Sequence, residues 1–409
     1  MSWFSLPTEM HLAIVDVLDH DEVRALSTVD RTTYDACVPS LFKSVTLNSH
    51  NTLEQFLGNV PKDYCRYIQS VQVDLKRLDS NGSGRKERTK SLVSLLQACP
   101  RLNVLDVRNA GYLHPDILSC ALPSLRSLIL SHWDPEEMMP LSERLIVSLA
   151  ASLPMLNHLS ISGATRSALH APDLVGVYPP VPLVIGDSDI PAHPILGNEL
   201  SLPSLLRLTG LRTLSIKDTH LGDARWDTEQ VCCQLERVDL MGSCEEGWTE
   251  RIMARVGRTV GEFGLSAPVK PASVRGLASL KKLRIGEYFP VDDVAETLEG
   301  FADSPIERVE MECFEEDVVD VCTELEGWLR GKGEGLWQRL ERVDVKVLES
   351  SYDDDDEEEE KMREAMGKLM RVCGELRVKS RVCGKRNGKQ RILSENMRWP
   401  DGRVRANTV

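Results

Sequence analysis

No stretch of the 409 residues approaches eighteen consecutive apolar side chains, so a membrane-spanning helix is not expected. The N-terminus lacks the basic start and apolar run of a secretory signal, which points to the cytosol or nucleus. Eleven cysteines, an odd number with no C-x-x-C pair, give neither a disulfide framework nor a zinc site, and reduced, mostly buried thiols are expected. Aromatic residues are scarce at 5%, so the core must rest on Leu, Val and Ile, as in a stack of small repeated layers. The nine histidines form no H-x-x-x-H pair, and there is no G-x-S-x-G turn and no P-loop. With no nucleophile, base and oxyanion donor gathered anywhere, the expected role is binding rather than catalysis, with no cofactor and no metal.

The net charge of -14 is unevenly spread. Residues 361–409 carry fourteen Lys or Arg against four acids, a balance of +10, so the other 360 residues carry -24. A basic end on an acidic body suits a nuclear address, pairing with the body, or nucleic acid through the tail alone. The acidic body makes nucleic acid an improbable ligand for the whole chain.

A short pattern recurs: apolar, two residues, apolar, one residue, apolar. It appears as Leu102-x-x-Leu105-x-Val107, Leu125-x-x-Leu128-x-Leu130, Leu156-x-x-Leu159-x-Ile161 and Leu211-x-x-Leu214-x-Ile216. It continues as Leu235-x-x-Val238-x-Leu240, Val260-x-x-Phe263-x-Leu265 and Leu280-x-x-Leu283-x-Ile285, then Ile306-x-x-Val309-x-Met311 and Leu340-x-x-Val343-x-Val345. Weaker copies stand at Phe42-x-x-Val45-x-Leu47, Ile68-x-x-Val71-x-Val73 and Cys373-x-x-Leu376-x-Val378. The alternate positions test the pattern, because successive strand side chains point to opposite faces. Of the 27 alternate positions in the nine stronger copies, 22 are polar or charged, which predicts short strands with one dry and one wet face. Helical spacing lies between several strands, at residues 91–96, 145–150 and 318–322. In three near-copies a proline (Pro100, Pro123, Pro154) stands two residues before the first strand anchor, where it ends the preceding helix.

Over roughly residues 65–348 this organisation resembles the leucine-rich-repeat family in its irregular, long-repeat form. It departs from the standard repeat because Asn or Cys rarely follows the strand; an ordinary α/β domain with a parallel sheet is the rival reading. The resemblance implies an α/β, RNI-like solenoid whose wet strand face is concave and binds a protein. That face mixes signs: Lys217, Arg237, Asp239, Arg284, Arg308, Glu310, Glu312, Arg342, Asp344 and Lys346.

Residues 5–42 read as three short helices. Thr8 is the expected cap of the first, with Met10, Ile14, Val17 and Leu18 at helical spacing; Asp19 or Asp21 opens a second with Val23, Leu26 and Val29; a third runs to a break at Pro39. About forty residues cannot bury a self-sufficient core. The Leu6-Pro7 start, the spacing to Ile14 and Leu18, the Asp-x-Asp-x-Val link and the Leu41-Phe42-x-x-Val45 exit resemble an F-box, as in fungal members of that family. Thr32-Thr33-Tyr34 departs from the family's basic-aromatic cluster. The resemblance implies that Leu6, Pro7, Met10, Ile14, Leu18, Val23 and Leu26 contact the Skp-type adaptor of a cullin–RING ubiquitin ligase. The repeats would then hold an unknown protein substrate. Read without the resemblance, the same helices are the cap that a solenoid end requires.

The expected organisation is therefore residues 1–42 as the F-box-like motif and 43–348 as the repeat array, followed by an acidic disordered loop over 349–360. Residues 361–409 make a last helix or strand and a basic tail. A Pro- and Gly-rich insertion near 163–203, including the prolines of 179–182, is expected as a mobile loop. The eight acids of 353–360 lack the spaced ligands and glycine of a calcium loop and read as a solvated charge run. After them Met362, Met366, Leu369, Met370 and Cys373 outline one apolar helix face.

Overall fold

The computed structural model describes residues 6–76, 84–133, 140–172, 182–184, 186–242, 247–270, 277–301, 303–331, 339–348, 356–386, 389–398 and 404–408. The chain is mixed α/β, built on parallel strands, and divides into two compact units, Met1–Leu211 and Arg212–Val409. Among the described residues no helix is long and apolar enough to cross a membrane.

The first unit opens with helices α1 (Thr8–Val17), α2 (His20–Leu26) and α3 (Arg31–Leu41). Pro7, not Thr8, occupies the cap position of α1, and no side chain caps that end. Asp19 caps α2 in a reciprocal capping box with Glu22. Asp30 caps α3 through the Thr33 N–H. The helix does not break at Pro39 but runs on to Leu41, because Pro39 sits in the last turn, where little helix remains to disrupt.

Strands β1 (Ser44–Leu47), β2 (Ser70–Asp74), β3 (Val104–Arg108), β4 (Ser127–Ser131) and β6 (His158–Ser162) then pair in parallel, each beside the next. A two-residue pair, β5 (Leu141–Ser142) with β7 (Ala164–Thr165), lies apart from them. Helices α4 (His50–Asn59), α5 (Arg85–Ala98) and α6 (Glu143–Ala151) form crossovers. The last two fall where helical spacing is read from the sequence. The register stacks one anchor per strand: Val45, Val71, Leu105, Leu128 and Leu159 in one row, and Leu47, Val73, Val107, Leu130 and Ile161 in the next. All ten are buried.

In the second unit β8 (Thr213–Lys217), β9 (Arg237–Met241), β10 (Glu262–Leu265), β11 (Lys282–Ile285), β12 (Arg308–Phe314), β13 (Arg342–Leu348) and β14 (Lys379–Arg386) are likewise parallel neighbours. Its helices are α7 (Trp248–Val256), α8 (Val294–Gly300), α9 (Val318–Gly331) and α10 (Asp356–Glu375). The anchors again form rows: Leu214, Val238, Phe263, Leu283, Val309 and Val343, then Ile216, Leu240, Leu265, Ile285, Met311, Val345 and Val382. The segment expected as a basic tail turns back on β14 as two antiparallel strands, β15 (Lys389–Arg398) and β16 (Val404–Thr408).

One backbone device recurs at strand entries in both units. Two successive N–H groups donate to a single carbonyl, that of the residue just before the preceding strand: Asn103 and Val104 to Gln69, Arg126 and Ser127 to Asn103, Asn157 and His158 to Arg126. In the second unit Glu236 and Arg237 donate to Arg212, Gly261 and Glu262 to Glu236, Lys281 and Lys282 to Gly261. Glu307 and Arg308 to Lys281, and Glu341 and Arg342 to Glu307, complete the series. Identical donor geometry at equivalent positions makes the strands structurally equivalent, although their sequences share only the apolar anchors.

Three further expectations are corrected. The insertion near 163–203 is not a free loop in its described part: Val184, Ile190, Leu196 and Leu200 are buried, and Glu143 of α6 accepts from the Leu202 N–H at 2.6 Å and from Arg166 Nε at 2.9 Å. Apolar side chains standing among the prolines supply that packing; residues 179–181 lie outside the described set. The acidic run is helical from Asp356, where the dipole favours acids in a first turn, while 353–355 lie outside the described residues. The copy at Cys373 is out of register, because α10 continues to Glu375 and the strand partners of Val343 and Val345 are Ser380 and Val382. Cys373, with Met366, Leu369 and Met370, instead forms the buried face of α10.

Candidate protein-binding surfaces

The N-terminal helices close on a core of three buried side chains, Val15, Val23 and Cys37, with Leu18, Leu26 and Leu41 packed against it. Three of the seven residues that the F-box resemblance assigns to an adaptor take part in this core. Val23 is inside the core, and Leu18 and Leu26 lie on it, because the turn between α1 and α2 folds them inward to supply what little core forty residues can have. Of the other four, Pro7 and Met10 are exposed, and Leu6 and Ile14 are half-buried. Leu12, Val17 and Val29 join them at the surface, Val17 being 82% exposed. Met10, Ile14 and Val17 fall at i, i+4 and i+7, one stripe of α1, about 100° around the helix from the buried His11 and Val15. The resemblance did not single out Leu12, Val17 or Val29; Val17 follows from the same helical spacing.

The second surface is the charged face of strands β8–β14. The sequence reads its alternate positions as solvated, and the structure differs. Asp239, Glu310 and Asp344 are 4–6% exposed. They survive burial because cations on their own strand and on strands one or two places away reach them. Arg237 Nε lies 2.8 Å from Asp239, and Arg284 approaches the same carboxylate at 3.6 Å. Arg342 closes on Asp344 at 2.7 Å, with Arg381 of β14 at 3.6 Å. Glu310 takes Lys282 at 2.9 Å and also Lys346, which holds Glu312 at 3.1 Å. Lys217 reaches Glu287, beyond the end of β11. Nine of the ten residues expected on this face are thus tied into ion pairs. Arg308 is the exception: exposed, with no ion-pair partner among the described residues. The ten omitted Lys282 and Arg381, although Lys282 stands at an alternate position of a pattern already recognised.

Burial alone would raise the Glu310 carboxyl, but hydrogen bonds and charge from Lys346 and Lys282 outweigh it and hold the pKa down at about 2. Gly264 leaves room for the first cluster: a Cβ there would meet Asp239 Oδ1 at 2.4 Å and the Met241 methyl at 2.7 Å. At the far end of the strands Tyr288, at φ +69° and 71% exposed, rests its ring 5.1 Å from that of Phe314.

Among the described residues no group of three or more His, Cys, Asp or Glu side chains is arranged to hold a metal ion. Ten described cysteines are free, and nine of them are buried. Burial pushes the thiols of Cys99, Cys322 and Cys373 up to about 12, so they stay protonated at neutral pH and are poor nucleophiles. No family model matches the chain, and no curated protein matches it.

Proposed function

We propose that the chain is the substrate-recognition subunit of an SCF-type cullin–RING ubiquitin ligase, working in the cytosol or nucleus. The N-terminal helices act as an F-box that docks a Skp-type adaptor and, through it, the cullin. The strands form an RNI-like leucine-rich-repeat array that holds a protein substrate. The chain contributes position, raising the effective concentration of substrate near the ubiquitin-loaded enzyme. The observation that carries this reading is the apolar stripe of Met10, Ile14 and Val17, left outward by a core too small to use it. The repeated two-to-one strand entry supports the array reading.

The test is capture of the full chain by purified adaptor, beside a Met10→Glu, Val17→Glu double variant. Each buried apolar side chain contributes ~1.5–3 kcal/mol, so the variant should lose at least about a hundredfold in affinity. Capture that the folded variant retains, or no capture of the folded wild type, refutes the proposal. A second reading, a non-ligase interaction scaffold with these helices as an end cap, is favoured by one contact set. Phe42, at the end of α3, lies against the rings of Phe56 in α4 and Tyr64 in the turn after it (centroids 6.5 and 5.0 Å), which join the helices to the crossover between β1 and β2.

A further inference from the structure

The entry positions of four neighbouring strands in the second unit all carry cations. Lys282, Arg308, Arg342 and Lys379 are consecutive register partners across β11, β12, β13 and β14. Like charges directly opposite one another destabilise a sheet, so such a row needs compensation from elsewhere. Two members have it: Lys282 pairs with Glu310 and Arg342 with Asp344. Arg308 and Lys379 are exposed and have no ion-pair partner among the described residues. The acids just before the strands do not supply one. Glu307 is engaged by Lys281 at 3.0 Å, and strand alternation turns Glu307 and Glu341 to the other face. Nor does the chain's own acidic helix start. The 20 residues of α10 run from Asp356 to Glu375, just before Lys379, so by the rise of an α-helix Asp356–Glu360 lie ~20 Å or more from the row.

We propose that this row is the docking site for an extended, acidic segment of a partner protein, laid across the strands with acids at alternate positions. The inference rests on the reading of this face as the substrate-holding surface, and names the substrate class. Three steps between neighbouring strands span ~14 Å. An extended segment with acids at i, i+2 and i+4 spans the same ~14 Å on one face, so its carboxylates match the row in length and sign. Glu310 and Asp344, two residues further along the same face of β12 and β13, are already paired with Lys282, Lys346, Arg342 and Arg381, so the uncompensated charge is confined to Arg308 and Lys379 in the row, a length that a few carboxylates on a short extended segment cover.

The experiment is fluorescence anisotropy with the full chain and a fluorescein-labelled peptide in which three glutamates alternate with serines. An otherwise identical glutamine peptide is the control. Wild type should bind the glutamate peptide at least about tenfold more tightly than the control, and binding should weaken as salt is raised. An Arg308→Glu, Lys379→Glu double variant should lose that preference. Arg308→Gln, Lys379→Gln, which adds no charge and relieves the row's repulsion, should weaken binding about tenfold with no loss of thermal stability. Equal binding by the folded glutamine variant, or equal binding of both peptides, overturns the proposal. Tighter binding of a single-stranded oligonucleotide through the same two residues overturns it in favour of nucleic acid. Adaptor capture through Met10 and Val17 is a separate readout, so failure here with capture intact removes only the assignment of the row.

Discussion

Replacing Glu310 by glutamine keeps the size of the side chain and an acceptor oxygen, and removes only the charge that Lys282 and Lys346 surround. The wild-type carboxylate has a pKa of about 2 in the folded chain against 4.5 for the free group. At 1.36 kcal/mol per pKa unit, that difference corresponds to ~3 kcal/mol of stability from the ionised form. Because the folded pKa is the lower one, the contribution is complete above pH 4.5 and is lost as pH falls toward 2. At pH 3 the same linkage leaves under half of it, ~1.4 kcal/mol. The assay is urea unfolding followed by far-UV circular dichroism, wild type beside Glu310→Gln, at pH 7, 5, 4 and 3. The variant should be less stable by ~3 kcal/mol at pH 7, and the gap should close steadily below pH 4.5. A gap under ~0.5 kcal/mol at pH 7, the size expected of an ordinary surface change, would refute the account of a buried, paired carboxylate. So would a gap that does not narrow between pH 5 and pH 3.

Gly264→Ala should destabilise the second unit by ~1–3 kcal/mol, since its methyl would displace Asp239 from Arg237; loss of hydrogen-exchange protection in β9 and β10 checks it. Gly327→Ala should do the reverse: it is exposed within α9, nothing lies near its added methyl, and the better helix former should raise stability by up to ~1 kcal/mol in the same urea assay. Glu143→Ala should cost ~3–5 kcal/mol, because it leaves Arg166 and the Leu202 N–H without their carboxylate. Faster exchange of the Leu202 amide would report the release of the insertion from α6.

The strands were legible because their anchors obey a rule that local sequence can express. Leu105, Leu128 and Leu159 are spaced from Leu102, Leu125 and Leu156 by the same three residues, and the register sets them side by side. The insertion was not legible, since Val184, Ile190, Leu196 and Leu200 show no single period. They are buried by a fold that only the long-range contact of Glu143 with Leu202 and Arg166 reveals. In the N-terminal helices the apolar spacing located the turns but not the side that closes on the core. Leu18, Val23 and Leu26 look as available as Met10 until the three helices meet.

The charged face shows most clearly where the sequence stops. Arg237-x-Asp239, Arg308-x-Glu310 and Arg342-x-Asp344 are the same phrase, basic then acidic two residues on, and alternation alone puts all six side chains in solvent. In β9 and β13 the arginine closes on the acid of its own strand, at 2.8 and 2.7 Å. In β12 it does not, because Lys282 on one side and Lys346 on the other reach Glu310 first. Arg308 is left exposed between two paired cations. Which of these three like phrases yields an unpaired charge depends on the neighbouring strands, some 26 and 34 residues away in sequence. That dependence makes Arg308 the informative position on this face. The other nine charges read from the sequence on this face are paired within the fold, and Arg308, with Lys379 two strands further on, is what the fold leaves over for the proposed partner to read.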